Sequence, residues 1–580
     1  MLFGSKKVYG AVLAVLILVL VIVTTPALVG AEAKSDQKST AKNVIMMIPD
    51  GASSTHYTLA RWYKGGSMAL DELPVGLVRT YGGESIITDS APAATAFATG
   101  HKTSDKYVGV LPGPVTIPGV DVPSTDDQYK PVASILEAAK LKGMSVGLVA
   151  TCNIQHATPA GFSAHITDRN NYNEIAEQQV YEDIDVVFGG GSQYLLPTGE
   201  GGMRTDDTDL TEVLVSRGYS YITTKSQMEG LSSSTSKVWG MFAPNAMAHD
   251  FDRFLYPEQP SIAEMTDKAI EILSKNPRGF FLMVEGSQVD WSSHANDPVG
   301  VISEMLAFDD AAKVALDFAK QDRKTMIMSF TDHGNGGMTI GNKNSDSTYS
   351  KMKLSSVIDP LKKAKCTGYA LMEILGTDVT DLNVKAKVLE YYGLELTDKE
   401  VASILSKYDQ TNKKWTIDLD YVLGPMMSNR SYIGWTTTGH TGEDVTLYAY
   451  GPGAPHGLLD NTDLARVAER SLGLSLNNAE QKLYNEASSA FSGMRAQVSI
   501  DTTNRELVVT KNGAEIATMP LSSDLLNVGG KTYQLSGVVI YAEKSGKAYV
   551  PQDAVRLVKS ITSMHTGCGI VALGPVAGLI

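Results

Sequence analysis

A chain of 580 residues with 43% hydrophobic and 20% charged side chains has the composition of an ordinary globular protein. This composition excludes wholesale disorder, collagen-like repeats and a coiled coil. The 50 basic and 64 acidic residues give a net charge of −14, so binding to the phosphate backbone of a nucleic acid is not expected. At roughly 150 residues per domain, the length predicts several structural units.

The N-terminus has the features of an export signal. Lys6 and Lys7 precede an uncharged stretch over residues 8–31, and the small residues of AEA at 31–33 have the spacing that signal peptidase cleaves. The apolar stretch is also about long enough to span a bilayer. Residues 1–33 are therefore predicted to be either a cleaved signal peptide or an uncleaved membrane anchor. In both cases the folded part lies outside the cytoplasm, secreted or held at the cell surface.

Six short apolar runs predict strands, and amphipathic stretches between them predict helices. The runs are residues 44–48, 144–150, 185–188, 280–284, 325–330 and 445–450, and the helical stretches are 132–142, 261–276, 301–320 and 464–471. Continuous apolar strands suit a sheet that is covered on both faces, with helices as the connections. The alternation predicts an α/β fold with a doubly wound, largely parallel sheet between two layers of helices.

Two segments depart from this alternation. Residues 338–435 are helical and rich in lysine, which predicts a lid-like insertion within a larger α/β domain over residues 43–480. After a helical linker that begins near residue 481, alternating strands predict a small accessory β domain over residues 496–560, with a hairpin turn at Lys511-Asn512-Gly513. The uncharged tail over residues 560–580 is too polar to predict a membrane span.

The three cysteines, Cys152, Cys366 and Cys568, lie far apart in the sequence and form no CxxC pair. This spacing indicates neither a thiolate zinc site nor a disulfide framework, and at most one bridge can form. Cys152 is interpreted as a small buried residue, with a catalytic thiol as the alternative.

Acidic residues and histidines follow several of the predicted strands. The residues that follow strands are Asp50, Glu285, Asp290, His294, Asp332 and His333, and His440 comes just before the predicted strand 445–450. Because ligand sites of open α/β sheets lie at the carboxyl ends of strands, these residues can converge on one site. Asp290 and His294 are four residues apart and share one face of a helix, although such a pair alone is more often a surface or capping feature. Carboxylates mixed with imidazoles predict zinc or a similar divalent ion.

Ser90, in the sequence TDSAPAATA, is the candidate nucleophile. The small residues that follow it allow a tight approach to a helix N-terminus, where backbone N–H groups favour an anion. Alternatively, Asp89 and Ser90 form only a helix cap. The chain has no GxSxG sequence, so a metal is needed to activate this serine. Arg169, after another predicted strand end, can hold a phosphate with its planar guanidinium, or can be an ordinary surface arginine.

Seven motifs in this order resemble the alkaline phosphatase family. They are NVIMMIPDG, TDSAPAATA, HATPAGFSAHITDR, DVVFGGG, FFLMVEGSQVDWSSH, MSFTDHG and HTGED, and the resemblance extends over residues 43–474 apart from the insertion. It implies a phosphomonoesterase in which Ser90 attacks the phosphorus of a small phosphate monoester and Arg169 grips two oxygens of the phosphate. A dimer is the expected oligomer.

The resemblance also implies two zinc ions and one magnesium ion. Their ligands would be Asp290, His294 and His440 for one zinc ion, Asp50, Asp332 and His333 for the second, and Asp50, Thr158 and Glu285 for the third ion. Where some family members carry an Asp and a Lys near the third ion and the phosphate, this chain has His156 and Trp291. An imidazole there makes zinc or cobalt a competitor of magnesium at the third site.

Two other functions are compatible with parts of this pattern. A phosphodiesterase, nucleotidase or sulfatase-like enzyme uses a similar metal scaffold, but Arg169 and the third site favour a monoester because its two negative charges need more positive charge. A surface structural protein that has lost catalysis is the second alternative, and the complete ligand set with Ser90 argues against it.

Overall fold

The computed structural model describes residues 40–564. The predicted export segment and the tail from residue 565 onward, with Cys568, lie outside the described residues. Within residues 40–564, no helix is both long enough and apolar enough to cross a membrane.

A ten-stranded sheet forms the centre of the molecule. Its strands, β1 to β10 in chain order, are Asn43–Pro49, Val75–Arg79, Ser145–Asn153, Val186–Gly190, Ser220–Ile222, Val238–Met241, Phe280–Gly286, Thr325–Phe330, Val445–Tyr450 and Leu458–Asp460. Their order across the sheet is β10-β2-β9-β8-β1-β7-β3-β4-β6-β5. Strand β9 is antiparallel to both of its neighbours, and the other pairs are parallel. The prediction of a largely parallel sheet is confirmed.

Both faces of the sheet are buried. In β1, the side chains of Ile45 and Met47 pack into one hydrophobic core, whereas Val44, Met46 and Ile48 pack into the other, and all five are 0% exposed. Successive side chains of a strand point to opposite faces, so a run of apolar residues is the pattern that a sheet between two helical layers requires.

Among the described residues, ten α-helices lie between β1 and β8. They are α1 to α10, at Ser54–Lys64, Ser90–Thr99, Ile135–Leu141, Ala157–Ser163, Tyr172–Tyr181, Leu210–Ser216, Lys225–Glu229, Ile262–Leu273, Gln288–His294 and Pro298–Asp322. The longest, α10, begins where the Asp297 carboxylate accepts hydrogen bonds from the backbone N–H groups of Val299 and Gly300, and Pro298 fits the first helical position.

The insertion over residues 338–435 is helical, as predicted. It contains α11 to α15, at Leu354–Leu361, Gly368–Leu375, Asp381–Lys387, Asp398–Leu405 and Asp420–Arg430. It is fixed to the rest of the chain through buried polar contacts. The Tyr392 hydroxyl donates to Asp297 Oδ1 at 2.8 Å, and the Thr367 hydroxyl donates to Asp252 Oδ2 at 2.6 Å. Its role as a lid stays a prediction.

After the insertion the chain returns to the sheet through β9 and β10, and then continues into α16 (Asn461–Leu472), α17 (Leu476–Leu483) and α18 (Ala487–Ser492). Two small antiparallel sheets and a last helix, α19 (Gln552–Met564), follow. Their strands, β11 to β18, are Asn485–Glu486, Gln497–Asp501, Glu506–Lys511, Ala514–Pro520, Leu525–Val528, Lys531–Gln534, Ile540–Ala542 and Lys547–Val550.

The hairpin turn predicted between β13 and β14 is present. Asn512 and Gly513 have φ values of 54° and 78°, which is the left-handed backbone that an Asn-Gly turn adopts. This β region packs against the main part of the chain, because Ile540 and Tyr549 share a core with strands of the central sheet. Its description as a domain over residues 496–560 stays a prediction.

Candidate active site

Three adjacent parallel strands carry acidic residues at their carboxyl ends. Asp50 follows β1, Glu285 lies near the end of β7, and Asp332 follows β8. Strand β1 lies between the other two, and its residue Ile48 pairs with Glu285 of β7. The three carboxylates therefore reach the same edge of the sheet, as the sequence predicts.

Asp50, Asp332 and His333 form a compact group, which we call the Asp50 cluster. One ligand atom from each lies within 4.8 Å of the other two. His333 Nε2 is 3.0 Å from Asp332 Oδ2 and 3.7 Å from Asp50 Oδ1, and the three side chains are fully buried. Among the described residues, no donor forms a hydrogen bond with either carboxylate oxygen of Asp50.

The electrostatics of the Asp50 cluster suit a cation. Burial, together with the charges of Asp332, Asp290 and Glu285, raises the pKa of Asp50 well above its usual range. Burial alone would lower the pKa of His333, but the charge of Asp332 raises it to about 9. Buried charges in proteins are paired or coordinate metals, and a divalent ion would relieve the repulsion between these carboxylates. The donor set thus fits a metal.

Asp290, His294 and His440 form the second group, the Asp290 cluster, whose ligand atoms also lie within 4.8 Å of one another. Asp290 and His294 are on one face of α9, with Oδ2 and Nε2 3.3 Å apart. His440 Nε2 is 3.6 Å from Asp290 Oδ1, because residues 440–441 pair with residues 334–335 just after β8. Asp290 is only 4% exposed, so the alternative of a surface or capping pair is wrong.

Backbone carbonyls orient both imidazoles of the Asp290 cluster. His294 Nδ1 lies 2.6 Å from the carbonyl oxygen of Thr438, and His440 Nδ1 lies 2.9 Å from that of Thr88. A carbonyl oxygen only accepts, so each Nδ1 carries a proton. In the neutral ring the Nε2 lone pair, on the side of Asp290, is then available to a metal ion. This is how a protein fixes histidines as metal ligands.

Ser90 is the first residue of α2 and lies beside the Asp50 cluster, with its Oγ 3.1 Å from His333 Nε2. It is only 2% exposed. The residue before it, Asp89, occupies the N-cap position, but its side chain makes no capping hydrogen bond. The alternative of a helix cap is therefore wrong for the Asp89 side chain.

Arg169 is largely buried and binds Asp89, the residue before Ser90. One guanidinium nitrogen donates to Asp89 Oδ2 at 2.6 Å, the other contacts His156 Nε2 at 3.0 Å, and the side chain is only 13% exposed. Burial and the charge of Arg169 lower the pKa of His156 to about 3, so this imidazole is neutral. The edge of its ring meets Trp291, with ring centres 5.8 Å apart. Arg169, His156 and Trp291 are thus neighbours.

A third group lies at the ends of β3 and β7. Cys152, His156 and Glu285, the Glu285 cluster, each offer a ligand atom within 4.8 Å of the other two. Glu285 is fully buried, and burial raises its pKa to about 7. The side chain of Thr158, the predicted hydroxyl ligand, lies beside Glu285 and is also fully buried.

The contacts of two residues of the site were not predicted from the sequence. Asp89 binds Arg169, and Cys152, predicted correctly to be buried, lies with its Sγ 3.5 Å from Glu285 Oε2. Burial and the Glu285 carboxylate raise the pKa of the Cys152 thiol. Its place at the end of a strand is the signal for this position, whereas the absence of a CxxC pair argues only against a site of paired thiolates.

Comparisons with known proteins agree with this arrangement. Residues 41–474 match the family model described as alkaline phosphatase. The chain is 36% identical over 467 residues to alkaline phosphatase 3 of Bacillus subtilis (strain 168), covering 77% of this chain and 93% of that protein. The chain belongs to the alkaline phosphatase family. It is therefore a phosphatase of a metal-dependent family that hydrolyses phosphate monoesters.

Solved alkaline phosphatases have the same fold. The enzyme of Thermus thermophilus superposes with a TM-score of 0.66 at 26% sequence identity, covering 76% of this chain and 95% of that one. The alkaline phosphatase of the Antarctic bacterium TAB5, as a histidine-to-aspartate mutant with Mg bound in its M3 site, superposes with a TM-score of 0.53 at 28% identity. That match covers 75% of this chain and 99% of the other.

Proposed function

We propose that this alkaline phosphatase is an exported, zinc-dependent phosphomonoesterase in which Ser90 forms a phosphoseryl intermediate. The observation that carries the proposal is the position of Ser90 Oγ, 3.1 Å from His333 of the Asp50 cluster. The Asp290 cluster is adjacent, because the rings of His333 and His440 stack with centres 3.5 Å apart. A nucleophile beside two three-ligand groups is the arrangement that two-metal phosphoryl transfer requires.

The ligand atoms support the assignment of the metals. Imidazole and carboxylate ligands suit zinc in the Asp290 and Asp50 clusters, whereas Asp50, Thr158 and Glu285 offer the oxygen ligands that magnesium prefers. When bound, such ions neutralise the phosphate, favour the ionised serine and stabilise the leaving oxygen.

The chain's own residues supply the nucleophile and the positioning. Ser90 Oγ forms a bond to phosphorus as the bond to the leaving oxygen breaks, and water later displaces the phosphate from Ser90. The position of Ser90 at the start of α2 aims backbone N–H groups at the phosphate. Arg169 holds two non-bridging oxygens, and its ion pair with Asp89 keeps the guanidinium beside the nucleophile.

His156 and Trp291 bear on the identity of the third ion, because the family resemblance places them near this ion and the phosphate. A neutral imidazole suits zinc or cobalt better than magnesium. The TAB5 mutant, in which an aspartate replaces a histidine and Mg occupies the M3 site, supports a link between the residue type and the metal.

The division of the chain is also part of the proposal. Residues 1–33 direct export or anchor the protein in a membrane, residues 43–480 form the catalytic domain with residues 338–435 as a lid, and residues 496–560 form an accessory β domain. The apolar N-terminal stretch supports an extracytoplasmic location. We further propose a dimer as the working state.

Hydrolysis of a simple aryl phosphate, with and without a chelator, tests the function. The expected result is that chelation abolishes activity and added zinc restores it, because the ions supply most of the charge that stabilises the transition state. A diaryl phosphate and an aryl sulfate are the matched controls for the diesterase and sulfatase alternatives. Full activity in a demonstrably metal-free preparation, or a preference for either control substrate, would refute the proposal.

A further inference from the structure

The third metal site contains a thiol that the ligand set Asp50, Thr158 and Glu285 does not include. Cys152 is the penultimate residue of β3 and is 0% exposed. Its Sγ lies 3.5 Å from Glu285 Oε2, on the neighbouring strand β7. The thiol is therefore held against a carboxylate that is itself a proposed metal ligand.

Several polar atoms around this thiol lack partners. Within the described residues, Glu285 Oε1, Thr158 Oγ1 and His156 Nδ1 are buried and form no hydrogen bond. These atoms lie at the end of β7 and at the start of α4, where His156 is the N-cap residue, and a ligand bound between the two elements would satisfy them. Their chemistry is that of a cation site, because oxygen, nitrogen and sulfur donors surround it.

The distance between Sγ and Oε2 fits two ligands of one ion. Metal–sulfur and metal–oxygen distances of about 2.3 Å and about 2.1 Å place two ligands of a tetrahedral zinc ion about 3.5 Å apart. The Cys152 thiol donates a hydrogen bond to the Glu285 carboxylate, and an ion bound between the two atoms would replace that bond. Cys152 does contact the hydrophobic core on one side, but its sulfur faces Glu285 on the other.

We propose that Cys152 supplies a sulfur ligand to the third ion, next to Glu285 and Thr158, and that this site therefore selects zinc or cobalt over magnesium. The inference rests on the proposed function, which places an ion there. The thiol proton is released to solvent as the sulfur binds the ion, since only the thiolate is a ligand. Thiolate ligands favour zinc and related ions, and magnesium avoids them.

Cobalt spectroscopy of the whole protein tests this directly. The Co²⁺-loaded wild type is expected to show an intense sulfur-to-cobalt charge-transfer absorption that Cys152→Ser and Cys152→Ala both lose. Cys366→Ser is the matched control, because Cys366 is also a buried free cysteine but lies in the insertion. It should keep the absorption, and so should Cys568→Ser. A Co²⁺-loaded wild type without the absorption, or its persistence in Cys152→Ser, would overturn the inference.

Metal content gives a second readout that does not depend on catalysis. Equilibrated with zinc and magnesium together, the wild type is expected to hold one more zinc ion per chain than Cys152→Ser, which takes up magnesium instead. The zinc preference of that site should fall at least roughly tenfold. If the wild type neither hydrolyses aryl phosphates nor binds zinc, the proposed function fails. If it does both but lacks the cobalt–sulfur absorption, only the role of Cys152 fails.

Discussion

Single backbone carbonyl groups orient the histidines of the Asp290 cluster. The ligand types at strand ends could be predicted from sequence, because a chain that alternates strands and helices brings the carboxyl ends of parallel strands together. The orientation of the ligands could not be predicted in this way. The Nε2 atoms of His294 and His440 face Asp290 because both Nδ1 atoms bond to backbone carbonyl oxygens. These carbonyls belong to Thr438 and Thr88, and neither residue lies in a predicted strand.

Ser90→Ala is expected to abolish the covalent intermediate and to slow turnover by orders of magnitude, because the hydroxyl is the group that attacks phosphorus. Ser90 is small and buried at a helix start, so alanine fits the site without new contacts. Acid quenching with labelled phosphate, followed by peptide mapping, should find label on Ser90 of the wild type alone. Label on another residue would contradict the assignment.

His156→Asp is expected to increase the response of activity to Mg²⁺ relative to Co²⁺. His156 belongs to the Glu285 cluster, its Nδ1 is buried and unpaired among the described residues, and a carboxylate in its place supplies the oxygen that magnesium prefers. The measurement is a titration of metal-depleted wild type and variant with each ion. Trp291 meets the His156 ring, so the double variant His156→Asp/Trp291→Lys is titrated as well. Equal magnesium dependence in all three proteins would mean that neither position tunes the site.

At the level of elements, the long strands and helices were predictable and the short ones were not. The predicted strands 325–330 and 445–450 match Thr325–Phe330 and Val445–Tyr450, because runs of six residues that are apolar, aromatic or β-branched at every position except Ser329 leave few alternatives. Strands Ser220–Ile222 and Leu458–Asp460 are only three residues long and lie at the two edges of the sheet. Three residues are too few to show a period, so such strands depend on pairing that the sequence does not reveal.

The contact between Cys152 and Glu285 also depends on strand pairing that the sequence does not reveal. It requires β3 and β7 to be neighbours, with Ala150 of β3 paired with Glu285 of β7. These residues are separated by more than 100 positions in the sequence, and several short elements intervene. Strand order and register follow from packing of the whole sheet and cannot be read from either strand alone.

A buried ion pair links the segment before α8 to α10 and gives a pH-dependent stability. His249 Nδ1 lies 3.2 Å from Glu304 Oε1. Burial would lower the pKa of His249, but the bond to Glu304 and nearby carboxylates raise it to about 10. A raised pKa stabilises the fold fully below the unfolded value of about 6.5, and this contribution disappears as pH rises through about 10.

His249→Gln is therefore expected to lower the free energy of unfolding by about 2 kcal/mol near neutral pH, and by progressively less as pH approaches 10. Urea unfolding of both proteins at a series of pH values measures the difference. His456→Gln is the control, because His456 is exposed and the same change there should have little effect at any pH. A difference that stays constant or grows with pH would contradict the assigned pair.

At the scale of the whole molecule, the C-terminal β region is held to the central α/β part by side-chain contacts as well as by the connecting chain. Arg217, just after α6, forms two hydrogen bonds with the carboxylate of Asp524, at 2.9 and 2.8 Å. The Ser522 hydroxyl donates to Glu174 Oε1 of α5 at 2.6 Å. Composition and strand pattern predicted a separate β region, but they carry no information on which surface that region contacts.

Arg217→Ala is expected to destabilise the protein by about 3 kcal/mol without changing phosphatase activity under native conditions. The Asp524 side chain is only 2% exposed, so removal of the arginine leaves a buried carboxylate with a single side-chain donor, Gln534. Amide hydrogen exchange that is faster in the variant than in the wild type in Leu525–Val528, but unchanged in Thr325–Phe330, would locate the loss in the β region. Arg278→Ala removes an exposed arginine and should leave both measurements unchanged.

In the double variant Arg217→Met/Asp524→Leu, stability should return towards that of the wild type, since neither charge of this ion pair remains buried. If Arg217→Ala unfolds like the wild type and exchange in both strands is unaltered, the ion pair does not hold the β region in place.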